Sequence, residues 1–117
     1  MAYKDLQELQ QRLKRFAIER DWEQFHSPKN LSMALMVEAS ELAEHFQWLT
    51  QKQSHELPAE KLEEVSLEMA DIFIYLMRLT EQLGVNLLDA VERKININEQ
   101  RYPADKVRGS SKKYSEY

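Results

Sequence analysis

The chain has no cysteine, two glycines, three prolines and no long apolar run. Without cysteine there is no disulfide framework and no thiolate metal site, a composition that suits a reducing compartment. The glycines, Gly84 and Gly109, both fall outside the periodic segments. The longest uninterrupted apolar stretch is Ile72 to Met77, far short of the roughly 20 residues of a membrane span. Positive charge is also in deficit. The net charge of −4 argues against a general nucleic-acid binder, whose surface is usually basic. Residues Pro103 to Tyr117 carry four basic and two acidic side chains, leaving about −6 on the rest. Met1 to Arg20 is charged and amphipathic, so a signal peptide is not expected. At 117 residues the expectation is one all-α domain in the cytoplasm, residues 1–103, with a basic tail over 104–117.

Apolar positions at helical spacing place four helices. The first is expected from about Lys4 to Arg20, on Leu6, Leu9, Leu13, Phe16 and Ala17. An aromatic-rich segment without clear period follows, Asp21 to His26. Ser27 and Pro28 supply an N-cap and an N1 proline, and the second helix is expected to continue to about Gln51. A polar loop through Ser54, His55 and Pro58 leads to a third helix over Ala59 to Leu83, closed by Gly84 as a C′ glycine. A fourth runs from about Leu87 to Tyr102, stopped by Pro103. The tail beyond it, with Lys106, Arg108, Lys112 and Lys113, is read as extended and either closes over a ligand or stays solvated.

Four acids break the pattern of the two middle helices. At about 100° per residue, Glu38 and Glu41 share a stripe with Leu31, Ala34, Leu35, Leu42 and Leu49. Glu68 and Asp71 share one with Val65, Ile72, Tyr75, Leu79 and Leu83. Acids at core-facing positions are costly unless neutralised, and four together cannot all stay charged without a cation. Isolated ExxE or ExxD pairs are most often solvent-facing, as Glu44, Glu63 and Glu64 are expected to be. Two such pairs centred in apolar stripes instead suit Mg²⁺, with Mn²⁺ as a substitute. The cation would neutralise phosphate charge, position a ligand and acidify a bound water.

The faces opposite the acids are apolar too: Met33, Met36 and Ala43 on the second helix, Met69, Phe73 and Met77 on the third. A helix apolar all round is buried all round. The expectation is a four-helix bundle protomer whose second and third helices are buried at the centre of a homo-oligomer.

The fourth helix adds the opposite charge. Lys94, Asn98 and Arg101 continue the stripe of Leu87, Ala90 and Val91, and such a row suits phosphate oxygens. Snorkelling past apolar neighbours accounts for the same cations equally well. Trp22, Phe25, His26 and Trp48 are candidates for a flat-ligand pocket, since aromatic faces stack on bases; for Trp48 core packing fits as well. His45, one turn after Glu41, is either a partner of that acid or a helix-end histidine.

These residues resemble the all-α nucleoside triphosphate pyrophosphohydrolases of the MazG-like superfamily, whose signature is an ExxE helix followed by an ExxD helix. The likeness narrows to the dCTP pyrophosphatase branch. It is carried by Arg20 to His26, Pro28 to Leu31, Glu38 to Glu44, Phe46-Gln47-Trp48, Asp71 to Leu76, Asn98, Arg101-Tyr102-Pro103 and Ser111 to Tyr114. The resemblance implies hydrolysis of a deoxynucleoside triphosphate, dCTP or a C5-modified form of it, to the monophosphate and pyrophosphate. Water would attack the α-phosphorus, with Glu38, Glu41, Glu68 and Asp71 holding Mg²⁺. Any of the four carboxylates could take the proton of a metal-bound water, and Glu41 or Glu38 is the expected base. Trp22, His26, Trp48, Tyr75 and Asn98 would form the base and sugar pocket, and Lys94 and Arg101 would face the triphosphate. It further implies a tetramer built from dimers and a house-cleaning role in nucleotide metabolism. One departure is Leu13, at a place where some of those members carry a pocket histidine.

Two other readings compete. A di-metal carboxylate bundle needs two Glu-x-x-His motifs, and only Glu23 to His26 has that spacing. A non-catalytic helical interaction module would use the apolar faces but leaves the acids buried without a purpose.

Overall fold

Helix α1, Leu6–Glu19, starts where the Asp5 side chain accepts from the Glu8 N–H at 2.9 Å. In the computed structural model, which describes residues 5–111, a 3-10 turn follows at Glu23–Phe25, then α2 (Pro28–Glu44), α3 (Gln51–Ser54) and α4 (Ala59–Leu83). Helices α5 (Leu87–Arg101) and α6 (Ala104–Val107) complete the order. The described residues are all-helical, as expected, with no strand among them. The expected start at Lys4, and Lys112 and Lys113 of the tail, lie outside the described residues.

Most ends follow from side-chain chemistry. Ser27 Oγ accepts from the Asn30 N–H at 3.1 Å with Pro28 in the first helical position. Asn86 caps α5 through the Asp89 N–H, also at 3.1 Å. Gly84 ends α4 with φ +65°, a conformation open to glycine without strain. Two expectations are corrected. The second helix stops at Glu44, not Gln51: turns carry His45 to Leu49, and Thr50 then opens the short α3 with a capping box to Gln53. The start of the tail is not extended either, because Pro103 begins the helical turn α6.

The chain divides after Gly84 into two compact units. In the first, α2 and α4 lie side by side and antiparallel: His45 faces Lys61 and Glu64, while His26, just before α2, faces Arg78. Helix α1 packs on α4, where Gln10 Nε2 donates to Thr80 Oγ1 at 3.1 Å and that hydroxyl donates to the Met77 carbonyl at 2.8 Å. Ala17, Leu31, Val65 and Met77 form the buried core. Burying Leu31 or Met77 contributes about 1.5–3 kcal/mol each. Met77 therefore belongs to the protomer core and not to the outer face expected for it. Met33, Met36, Met69 and Phe73 of that face are exposed, Met36 by 70%. The second unit contains α5 and α6. Among the described residues no helix is long and apolar enough to cross a membrane.

Candidate active site

Glu38 and Glu41 sit one turn apart on α2, and Glu68 faces them from α4. One carboxylate oxygen from each lies within 4.8 Å of the other two. The arrangement strains the charges. Glu38 is pushed up to about 7, first by the hydrogen bond it makes with Glu68, then by burial, then by the hydrogen bond and charge of Glu41 and the charge of Asp71. Asp71, one turn further along α4, lies outside the three-acid cluster and reaches Glu38 through its charge. Glu68 Oε2 is buried and has no hydrogen-bond partner among the described residues. A buried carboxylate oxygen without a donor is costly. An all-oxygen, all-carboxylate donor set with one such oxygen fits a hard divalent cation such as Mg²⁺.

A second cluster surrounds the start of α2. The chain leaves α1 through Asp21, whose φ of +55° is left-handed, a conformation Asp tolerates better than most residues. The reversal lets the Asp21 N–H bond to the Ile18 carbonyl at 3.0 Å and the Trp22 N–H to Ala17 at 2.9 Å, a Schellman ending with Asp in place of Gly. Trp22 is thus held beside Phe16, edge to face at 5.7 Å, and 6.3 Å from the His26 ring. Gln24 bonds back to Asp21, and Asn30 Nδ2 donates to the Phe25 carbonyl at 3.0 Å.

Beneath this segment lies Arg78 of α4, 3% exposed. Its Nη1 donates to Glu81 Oε2 at 3.2 Å, its Nη2 to Glu23 Oε1 at 3.5 Å and its Nε to His26 Nδ1 at 3.4 Å. Lys14 also pairs with Glu81. Burial, then the Arg78 charge, hold His26 below the ordinary histidine range, against an upward pull from Glu23. Glu23 and His26, the one Glu-x-x-His pair in the chain, are thus engaged with a cation already, contrary to a di-metal site. Sequence reasoning passed over Arg78. Its available signal was its position seven residues after Asp71, on the same helix face, in an otherwise apolar stretch.

Tyr75 is half-buried on the acid stripe of α4, one turn after Asp71. Trp48 lies in the turn after α2 and is 86% exposed, so core packing does not account for it. His45 Nδ1 lies 3.2 Å from Lys61 Nζ and 3.9 Å from Glu64, itself paired with Lys61. Lys94, Asn98 and Arg101 share one exposed face of α5 in the second unit.

Comparison with known proteins gives concordant results. The model of the MazG-like family matches residues 33–117. Human dCTP pyrophosphatase 1 is 48% identical over 103 residues, and the Mus musculus protein of the same name 45%. These matches take in 86% of this chain and 61% of each relative, so the chain spans about three-fifths of the length of the curated relatives it matches. The crystal structure of a pyrophosphatase from Archaeoglobus fulgidus superposes with a TM-score of 0.81 at 36% identity, covering 88% of this chain and 96% of that one.

Proposed function

The chain belongs to the MazG-like family, and on that premise we propose that it is a Mg²⁺-dependent nucleoside triphosphate pyrophosphohydrolase acting on dCTP or C5-modified dCTP. The observation that carries this reading is the convergence of Glu38, Glu41 and Glu68, with the unpartnered Oε2 of Glu68 among them. Further support comes from the relatives named dCTP pyrophosphatase 1. Glu38, Glu41, Glu68 and Asp71 would hold the cation, which when bound neutralises phosphate charge and orients the triphosphate.

The proposed reaction is in-line attack of water on the α-phosphorus. The bond from that phosphorus to the α,β-bridging oxygen breaks, and pyrophosphate leaves with the oxygen. Glu41 or Glu38 takes the proton of the attacking water. Trp22, His26, Trp48 and Tyr75 are proposed to hold the base and sugar, the aromatic faces by stacking. On α5, Asn98 is proposed as a sugar and base ligand, and Lys94 and Arg101 as ligands for phosphate oxygens. The activity would clear non-standard nucleotides from the cytoplasmic pool.

Pyrophosphate release from a panel of canonical and C5-modified nucleotides in Mg²⁺ tests the substrate. Turnover of dCTP or its C5-modified forms at least about tenfold above dTTP and dATP is expected, a preference of about 1.4 kcal/mol. Equal turnover of all four bases would refute the cytosine assignment and leave the reaction standing.

A further inference from the structure

Arg78 is the one fully buried cation among the described residues, and nothing in the proposed chemistry uses it. A guanidinium cannot give up its proton in a protein and has no acceptor. The contact from Arg78 Nε to His26 Nδ1 at 3.4 Å therefore requires that Nδ1 be the acceptor, unprotonated. A neutral imidazole with a bare Nδ1 carries its proton on Nε2. His26 Nε2 bonds to nothing else among the described residues, and it is not one of their buried atoms without a partner. It is thus available as a donor beside Trp22, whose ring centre is 6.3 Å from that of His26. The other two guanidinium nitrogens meet Glu23 and Glu81, so the fork joins the Glu23–His26 segment to α4, seven residues from Asp71.

We propose that Arg78 is a positioning residue for the nucleotide pocket: its guanidinium locks His26 in the neutral Nε2–H tautomer and holds the Trp22–His26 segment against α4. The inference rests on the reading that Trp22 and His26 face the nucleotide. A neutral N–H donor suits an uncharged acceptor, such as the carbonyl oxygen of a pyrimidine ring, better than a phosphate. Phosphate recognition would gain from an imidazolium, which the adjacent guanidinium opposes.

The test combines a spectroscopic signature with kinetics. In ¹⁵N-labelled wild-type protein near pH 7.5, the ring nitrogens of His26 are expected to report the Nε2–H tautomer. In Arg78→Met, checked for folding by circular dichroism, that signature is expected to give way to a mixture. The KM for dCTP rises about tenfold, the worth of one well-placed hydrogen bond, while kcat stays within about twofold because the acid cluster is untouched. If Arg78→Met does not fold, Arg78→Lys carries the comparison: it keeps the charge but not the fork, and is expected to raise KM in the same direction. A wild-type His26 protonated on Nδ1, or a folded variant at Arg78 with unchanged KM, would overturn the proposal. Wild-type protein that hydrolyses no dCTP would instead sink the assigned activity, and the ring-nitrogen spectrum would still decide the tautomer.

Discussion

At the scale of single residues, Glu38 records the cost of gathering carboxylates. Its folded pKa is raised from 4.5 to about 7. A group raised in the folded state contributes stability fully present below its unfolded value and lost as pH rises through its folded value. Metal-free protein is therefore expected to lose stability between about pH 4.5 and 7 at this group. Glu38→Gln removes the titration, so its melting temperature without divalent cation should exceed that of wild type at pH 8 and converge with it at pH 4.5. Thermal scans with EDTA at both values check this; a variant less stable than wild type at pH 8 would contradict it. The grouping of Glu38, Glu41 and Glu68 was legible in the sequence because i,i+3 acids centred in an apolar stripe are costly to bury without a cation between them. The Arg78 fork was not, because two of its three partners, His26 and Glu23, lie 52 and 55 residues away on a segment without period.

At the scale of elements, the helix ends determine where the site sits. Ser27 and Pro28 start α2 so that Glu38 and Glu41 fall opposite Glu68, and Gly84 frees the chain from α4. A Cβ at position 84 would meet nothing within 4 Å, so only backbone conformation opposes a side chain there. Gly84→Ala is expected to cost about 1 kcal/mol, the penalty of a left-handed Ala, measured by urea denaturation, with kcat unchanged. A neutral effect would mean that φ at this position relaxes freely. The ends marked by Ser27, Pro28, Gly84 and Pro103 were readable in advance. The end of α2 was not: His45 to Leu49 contain no Gly or Pro and Leu49 keeps the apolar period, so the stripe ran past the real stop. The Thr50-x-x-Gln53 capping box was the signal that a new helix begins.

At the scale of the whole molecule, α2 and α4 leave Met33, Met36, Val37, Leu67, Met69 and Phe73 exposed. Large apolar side chains left exposed on two neighbouring helices suit an interface, and the proposal is a homotetramer built from dimers through them. Light scattering at micromolar concentration is expected to give about four times the 13.9 kDa chain mass, with Met36→Glu shifting it toward smaller species. A wild-type monomer would refute the assembly.

The acid cluster is proposed as a cation site for dCTP hydrolysis. The most direct measurement is pyrophosphate release from dCTP by wild type and by Glu68→Gln, each with Mg²⁺ and with EDTA. Release is expected from wild type in Mg²⁺ alone, with a loss of about 100-fold or more in the variant, its helical content retained. Wild type that releases no pyrophosphate from any deoxynucleoside triphosphate with Mg²⁺ or Mn²⁺, or a Glu68→Gln protein as active as wild type, would contradict it.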